Sequence, residues 1–76
     1  MTKSLFRISY VETGDEILWR DFWGGGPIDD RVQAALDAGR LHLTEYIKAS
    51  SLAEAKSKFR SLFPDFIIME EGGAGI

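Results

Sequence analysis

The chain has no cysteine and one histidine, His42, among its 76 residues. A closed zinc site needs about four Cys or His ligands, so structural zinc is excluded, and no disulfide can form. No residue pattern calls for a cofactor or another metal. A cysteine-free chain suits a reducing compartment, and a cytoplasmic location is the expectation. Long apolar runs are missing too. None approaches the roughly 18 residues that span a bilayer. In M-T-K-S-L-F-R-I-S-Y, Arg7 breaks the apolar stretch that a signal peptide would require. A soluble protein with no membrane partner is expected. Positive charge is also scarce: nine Lys and Arg stand against twelve Asp and Glu, for a net charge of −3. A phosphate-binding surface needs a positive excess, so this balance disfavours direct nucleic-acid contact and permits docking on a basic partner.

What remains is globular in its proportions, 45% hydrophobic and 28% charged. So short a chain buries roughly 60% of its unfolded surface and holds one core. A single domain is expected over residues 1–70, followed by a tail over 71–76, with E-E-G-G-A-G-I reading as frayed from Glu70 onward.

Leu5 to Val11 alternates, with Phe6, Ile8 and Tyr10 on one face and Arg7 and Ser9 on the other, the period of a half-buried strand. Thr13-Gly14-Asp15 is a turn. Ile17 to Trp23 is rich in β-branched and aromatic residues and is read as a second strand closing a hairpin. A helix competes for this segment: Thr13 and Glu16 have capping-box spacing, and the following glycines would stop a helix. Pro27 to Gly39 is predicted helical, with Asp29 and Asp30 near its positive end and Gly39 as its C-terminal cap. Leu41 to Ala49 reads as a strand, Leu41, Leu43 and Ile47 facing one way and His42, Thr44, Tyr46 and Lys48 the other. Ser51 and Glu54 open a helix with the stripe Leu52, Ala55, Phe59, Leu62 and Phe63, which Pro64 ends. Phe66 to Met69, apolar on both faces, is a last strand buried in the sheet. The expected fold is α+β: a two-layer sandwich of about four strands with two helices on one face, in the order ββαβαβ.

Trp19, Phe22 and Trp23 lie within five positions, followed by Gly24-Gly25-Gly26. A phosphate loop uses such glycines beside a Lys or a helix N-terminus, but here Pro27 removes a donor and Asp29 and Asp30 add negative charge. A flexible strand-to-helix connection is the better reading. If Ile17 to Trp23 is a strand, Trp19 and Trp23 face away from Leu18 and Phe22, so one aromatic pair needs a cover from outside. Exposed Trp beside Arg20 and Asp21 has the composition of an interface hot spot. Asp15, Glu16, Asp21, Asp29 and Asp30 add a local acidic bias that could compete with nucleic acid for a basic groove. The candidate partner-binding set is therefore Asp15, Glu16, Trp19, Arg20, Asp21, Trp23, Asp29 and Asp30.

Catalysis finds little support. His42 stands alone beside Thr44 and Tyr46, and Ser50, Ser51 and Ser57 have turn, cap and surface explanations. A non-enzymatic protein is expected. Lys48, Lys56, Lys58 and Arg60 are the main basic concentration, spread as on a solvated helix.

The stretch Y-I-K-A-S-S-L-A-E-A-K-S-K-F-R-S-L-F-P-D-F-I-I-M-E resembles the strand–helix–strand ending of small phage and mobile-element proteins, some of them anti-CRISPR inhibitors. The likeness rests on a strand, a serine cap, A-x-x-x-F, a proline stop and a final strand. It covers about a third of the chain and carries no catalytic residues. It implies a stand-alone inhibitor that blocks a functional surface of a host defence complex by binding. Two alternatives are a self-associating regulatory domain, with the far face of the sheet buried in a homodimer, and a small accessory protein that contacts nucleic acid.

Overall fold

The computed structural model describes residues 3–73. The elements are β1 (Ser4–Glu12), α1 (Glu16–Trp23), α2 (Asp30–Asp37), β2 (Thr44–Ala49), α3 (Leu52–Leu62) and β3 (Phe66–Gly73). The fold is α+β, but the sheet has three strands and the order is βααβαβ rather than ββαβαβ. β1 is central, in the order β2-β1-β3, and pairs antiparallel with both neighbours. β2 and β3 therefore run in the same direction with β1 between them.

The largest correction concerns Ile17 to Trp23, which is helix. Leu18, Trp19, Phe22 and Trp23 recur at i, i+1, i+4 and i+5, so a helix gathers them on one side. A strand would split them between two faces. Packing outweighs the β preference of Ile, Trp and Phe. Leu18, Trp19 and Phe22, with Leu36, pack against Val32, Ala35 and Leu41 in a small core between α1 and α2. Thr13 does not cap α1; its hydroxyl donates to the Asp65 carbonyl, 3.1 Å away.

The glycine triplet joins two helices, not a strand to a helix. The Gly26 N–H donates to the Asp21 carbonyl (2.7 Å) and the Gly25 N–H to that of Phe22 (3.2 Å), with Gly25 at φ +84°. α2 ends the same way: Arg40 N–H donates to Ala35, Gly39 N–H to Leu36, and Gly39 has φ +73°. Both are Schellman caps, which need a left-handed residue just past the helix. Pro27 and Ile28 lie ahead of α2, whose N-cap is Asp29, its carboxylate accepting from the Val32 N–H at 2.9 Å.

α3 covers one face of the sheet. Its Ala55 and Phe59 are fully buried against Ile8, Tyr10, Ile47 and Ala49, with Phe63, Phe66 and Ile68 alongside. Tyr10 is ringed by Phe59, Phe63 and Phe66 at centroid distances of 4.9, 5.7 and 5.1 Å. Leu62 departs from the expected stripe and is exposed, because Phe63, four residues after Phe59, takes the inward place. The Ser51 Oγ accepts from the Glu54 N–H, and the Glu54 carboxylate accepts from the Ser50 N–H and hydroxyl.

The helices do not share one face. α1 lies against the face opposite α3, where Val11 is fully buried. Leu41 and Leu43 leave the expected strand to serve different cores, Leu41 with α2 and Leu43 with α3. β3 is an edge strand, and it continues through Gly73 where a frayed tail was expected from Glu70. Residues 74–76 of that expected tail lie outside the described residues.

Candidate binding cleft

The polar residues of β1 build the floor of a cleft on the face away from α3. Cross-strand partners share a face, so Arg7 stands with Tyr46 and Gly72, and Ser9 with Thr44 and Glu70. Glu70 reaches this face through a bulge. Tyr10 pairs with Ile68 and Ser9 with Glu70, leaving Met69 as an extra residue. Without it, Glu70 would stand opposite Ile8 and point towards the α3 core. With it, Glu70 meets Arg7 at 3.1 Å, while Glu71 turns to the α3 side and meets Lys56 at 3.4 Å.

α1 and the segment after α2 supply the cleft's aromatic wall. The volume is about 170 Å³, lined by Arg7, Ser9, Trp19, Trp23, Leu41, His42, Leu43, Thr44 and Glu70. Trp23 is 53% exposed, yet it is fixed on three sides. Its indole N–H donates to the Leu41 carbonyl at 2.9 Å. Phe22 and His42 meet its ring edge-on at 5.1 and 5.4 Å, and Trp19 lies 6.1 Å away. Edge-to-face contacts of this kind add about 0.5–1.5 kcal/mol each beyond the area they bury. Tyr46, 58% exposed, continues the surface across β2.

An ion pair ties the start of α1 to the end of α2. Asp15, ahead of α1, meets Arg40, after α2, at 3.1 Å, with the Asp15 side chain only 14% exposed. The two facing atoms are fully enclosed and are not aligned for a hydrogen bond, so their contact is ionic.

The expected partner-binding residues are dispersed. Trp19 and Trp23 meet at the cleft. Asp15 is engaged by Arg40. A Glu16 carboxylate oxygen accepts from the Gly14 N–H. Arg20 and Asp21 are exposed, on the side of α1 turned from its half-buried stripe. Asp29 caps α2 and lies 3.8 Å from Arg31, and Asp30 is exposed in the first turn. The expected set left out Arg7, Ser9, Thr44 and Glu70, and it left out His42 and Tyr46, which the sequence ties to a pocket only under a small-enzyme or ligand-carrier reading. Alternation had already grouped Arg7 with Ser9 and His42 with Thr44 and Tyr46, but nothing local joins these groups to Glu70.

Charge divides by layer. Residues 13–43, which carry α1 and α2, hold six acids and three bases, and the rest of the chain holds six of each. The whole net charge thus belongs to the helical hairpin. On α3, Lys56 is spent on Glu71, while Lys58 meets Glu54 at 3.2 Å and donates to the Lys48 carbonyl. The glycine N–H groups are likewise spent on carbonyls of α1, so they form no phosphate cradle.

Two groups titrate away from their ordinary values, both outside the cleft. Burial, with Glu45 nearby, raises the Tyr10 phenol. Hydrogen bonds from Ser50, then Lys58, hold Glu54 below the usual carboxylate range. Among the described residues, neither Ser9 nor Thr44 hydrogen-bonds to His42 and no three His, Asp or Glu side chains gather as a metal site. What the cleft offers is a fixed aromatic wall, two hydroxyls and one ion pair. No protein family, curated protein or solved structure matches the chain.

Proposed function

We propose that this chain is a non-catalytic protein-binding module whose partner sits on the open face of the sheet against the Trp23 rim. The observation that supports this best is Trp23 itself, half exposed while its indole N–H is already bonded to Leu41. A large apolar ring held rigid in water loses little further entropy on binding and gains from being covered. Arg7 lines the same cleft and Tyr46 stands opposite Arg7 on that face of the sheet, adding the Arg and Tyr typical of interface centres. The acidic α1–α2 layer beside the cleft favours a partner with a basic surface.

The likeness of residues 46–70 to small phage and mobile-element proteins supports a more specific form. In it, the module is an anti-CRISPR-type inhibitor that occupies the basic, nucleic-acid-binding groove of a defence complex. The test is affinity capture from host extract with the unmodified chain, Trp23→Ala and Arg7→Ala, each checked for folding by circular dichroism. The proposal expects both variants to lose the captured protein. Retention by both places the contact elsewhere.

A further inference from the structure

The two edges of the sheet are not equivalent. The outer edge of β3 is interrupted by the Met69 bulge and carries Glu70 and Glu71, devices that discourage strand addition. β2 is six residues of unbroken ladder, Ser4↔Ala49 through Ser9↔Thr44, and no strand among the described residues covers its other side. The direction of its backbone groups follows from one bond. The Tyr10 N–H donates to the Leu43 carbonyl, so Leu43 faces β1. In an antiparallel ladder these directions alternate, so Glu45 and Ile47 also face β1, while Thr44, Tyr46 and Lys48 turn outward. The Lys48 carbonyl agrees: it points outward and accepts from Lys58 Nζ at 3.0 Å, a bond that strand pairing would exchange for one from a partner N–H.

We infer that β2 is a self-pairing edge, and that two copies of this chain join antiparallel along it about a two-fold axis at Tyr46, giving a continuous six-stranded sheet. Such an axis is perpendicular to the sheet and keeps the two α3 helices on one face. Outward residues must then pair with outward residues. Centring on Tyr46 uses all of them: Thr44 of each copy faces Lys48 of the other, and Tyr46 faces Tyr46. Moving the centre one step toward Ala49 would call on Ser50, whose N–H is committed to Glu54 and where the chain leaves for α3. Moving it toward Thr44 would set Glu45 against Glu45. The chosen register has no like charges opposite each other, and it brings Glu45 of one copy beside Lys58 of the other. This complementarity singles out a second copy as the occupant. Both clefts then open on the same face, making the assembly bivalent for the proposed partner. The pairing itself does not depend on that partner.

Sedimentation equilibrium of the full chain, from micromolar to millimolar, tests the inference. The expected result is a mass rising from 8.5 kDa towards twice that value, with amide exchange at Thr44, Tyr46 and Lys48 slowing in step. Tyr46→Pro deletes an outward N–H at the axis, a change that a solvent-facing edge position tolerates. It is expected to stay monomeric with an unchanged circular dichroism spectrum. Should Tyr46→Pro fail to fold, Glu45→Lys serves instead: it sets like charges together and should weaken dimerisation at least about tenfold. A monomer at millimolar concentration overturns the inference. So does a dimer that folded Tyr46→Pro or Glu45→Lys leaves intact, or one that Trp23→Ala abolishes.

Discussion

Replacing Trp23 by alanine separates an anchored surface residue from a core residue. An enclosed Trp takes roughly 150–250 Å² out of water, and Trp23 is 53% exposed, so about 100 Å² of its burial is at stake. At about 25 cal/mol per Å² that amounts to about 2.5 kcal/mol. The bond to the Leu41 carbonyl adds about 1 kcal/mol. The sum, about 3.5 kcal/mol, is set against a total of roughly 4–11 kcal/mol for a chain of this length. Trp23→Ala should therefore remain folded with a urea midpoint lowered by about 3–4 M, given a slope near 1 kcal/mol per M. Trp23→Phe keeps a ring against Phe22 and His42 but leaves Leu41 without its donor, and should cost about 1 kcal/mol. Far-UV circular dichroism is the suitable probe, because the substitution alters fluorescence directly. A loss of about 5 kcal/mol or more, the upper end for an enclosed aromatic, would refute the reasoning by showing Trp23 to be core. Equal costs for the alanine and phenylalanine variants would refute the division between ring and donor.

Phe59→Ala opens a cavity beneath Tyr10 and Phe63 and should cost about 3–5 kcal/mol in denaturant titration; a loss under about 1 kcal/mol would mean that α3 is not the main core helix. Gly39→Ala forces a side chain into φ +73° and should cost roughly 1–2 kcal/mol, read as a lowered melting temperature. Glu54 has a folded-state pKa below its ordinary value of 4.5, so its stabilisation is complete above that value and is lost as pH falls through the folded pKa. Ser50→Ala removes the hydroxyl bond, the largest cause, and should flatten the acid limb of the stability curve below about pH 4.5; an unchanged limb would sever Glu54 from that dependence.

How far the sequence revealed this fold depended on whether the deciding information was local. α3 was legible because its Ser51 cap, apolar stripe and Pro64 stop lie within one turn or two of the residues they govern. β1 was legible from its alternation. α1 was misread because intrinsic preference and packing disagree there: Ile17, Trp19 and Phe22 favour pleated surfaces, while positions 18, 19, 22 and 23 form a helical stripe that a second helix, α2, can cover. That error displaced the site. A strand would have put two aromatics on a far face, whereas the helix packs Trp19 inward and leaves Trp23 at the rim. The floor of the cleft was hidden for a different reason. Arg7 and Glu70 are 63 residues apart, and only the Met69 bulge turns Glu70 towards Arg7. Alternation assigned the faces of Arg7, Thr44 and Tyr46 correctly, but only the pairing of β1 with both edge strands unites them.

The central claim is that the partner touches the Trp23 rim. Photo-crosslinking in host cells tests it directly, with p-benzoylphenylalanine introduced at Trp23 and, in a second protein, at Leu62. Leu62 is 68% exposed on α3, away from the cleft, and serves as the control. The account predicts a discrete covalent adduct from position 23 and none from position 62. An adduct from position 62 with none from position 23 would contradict it.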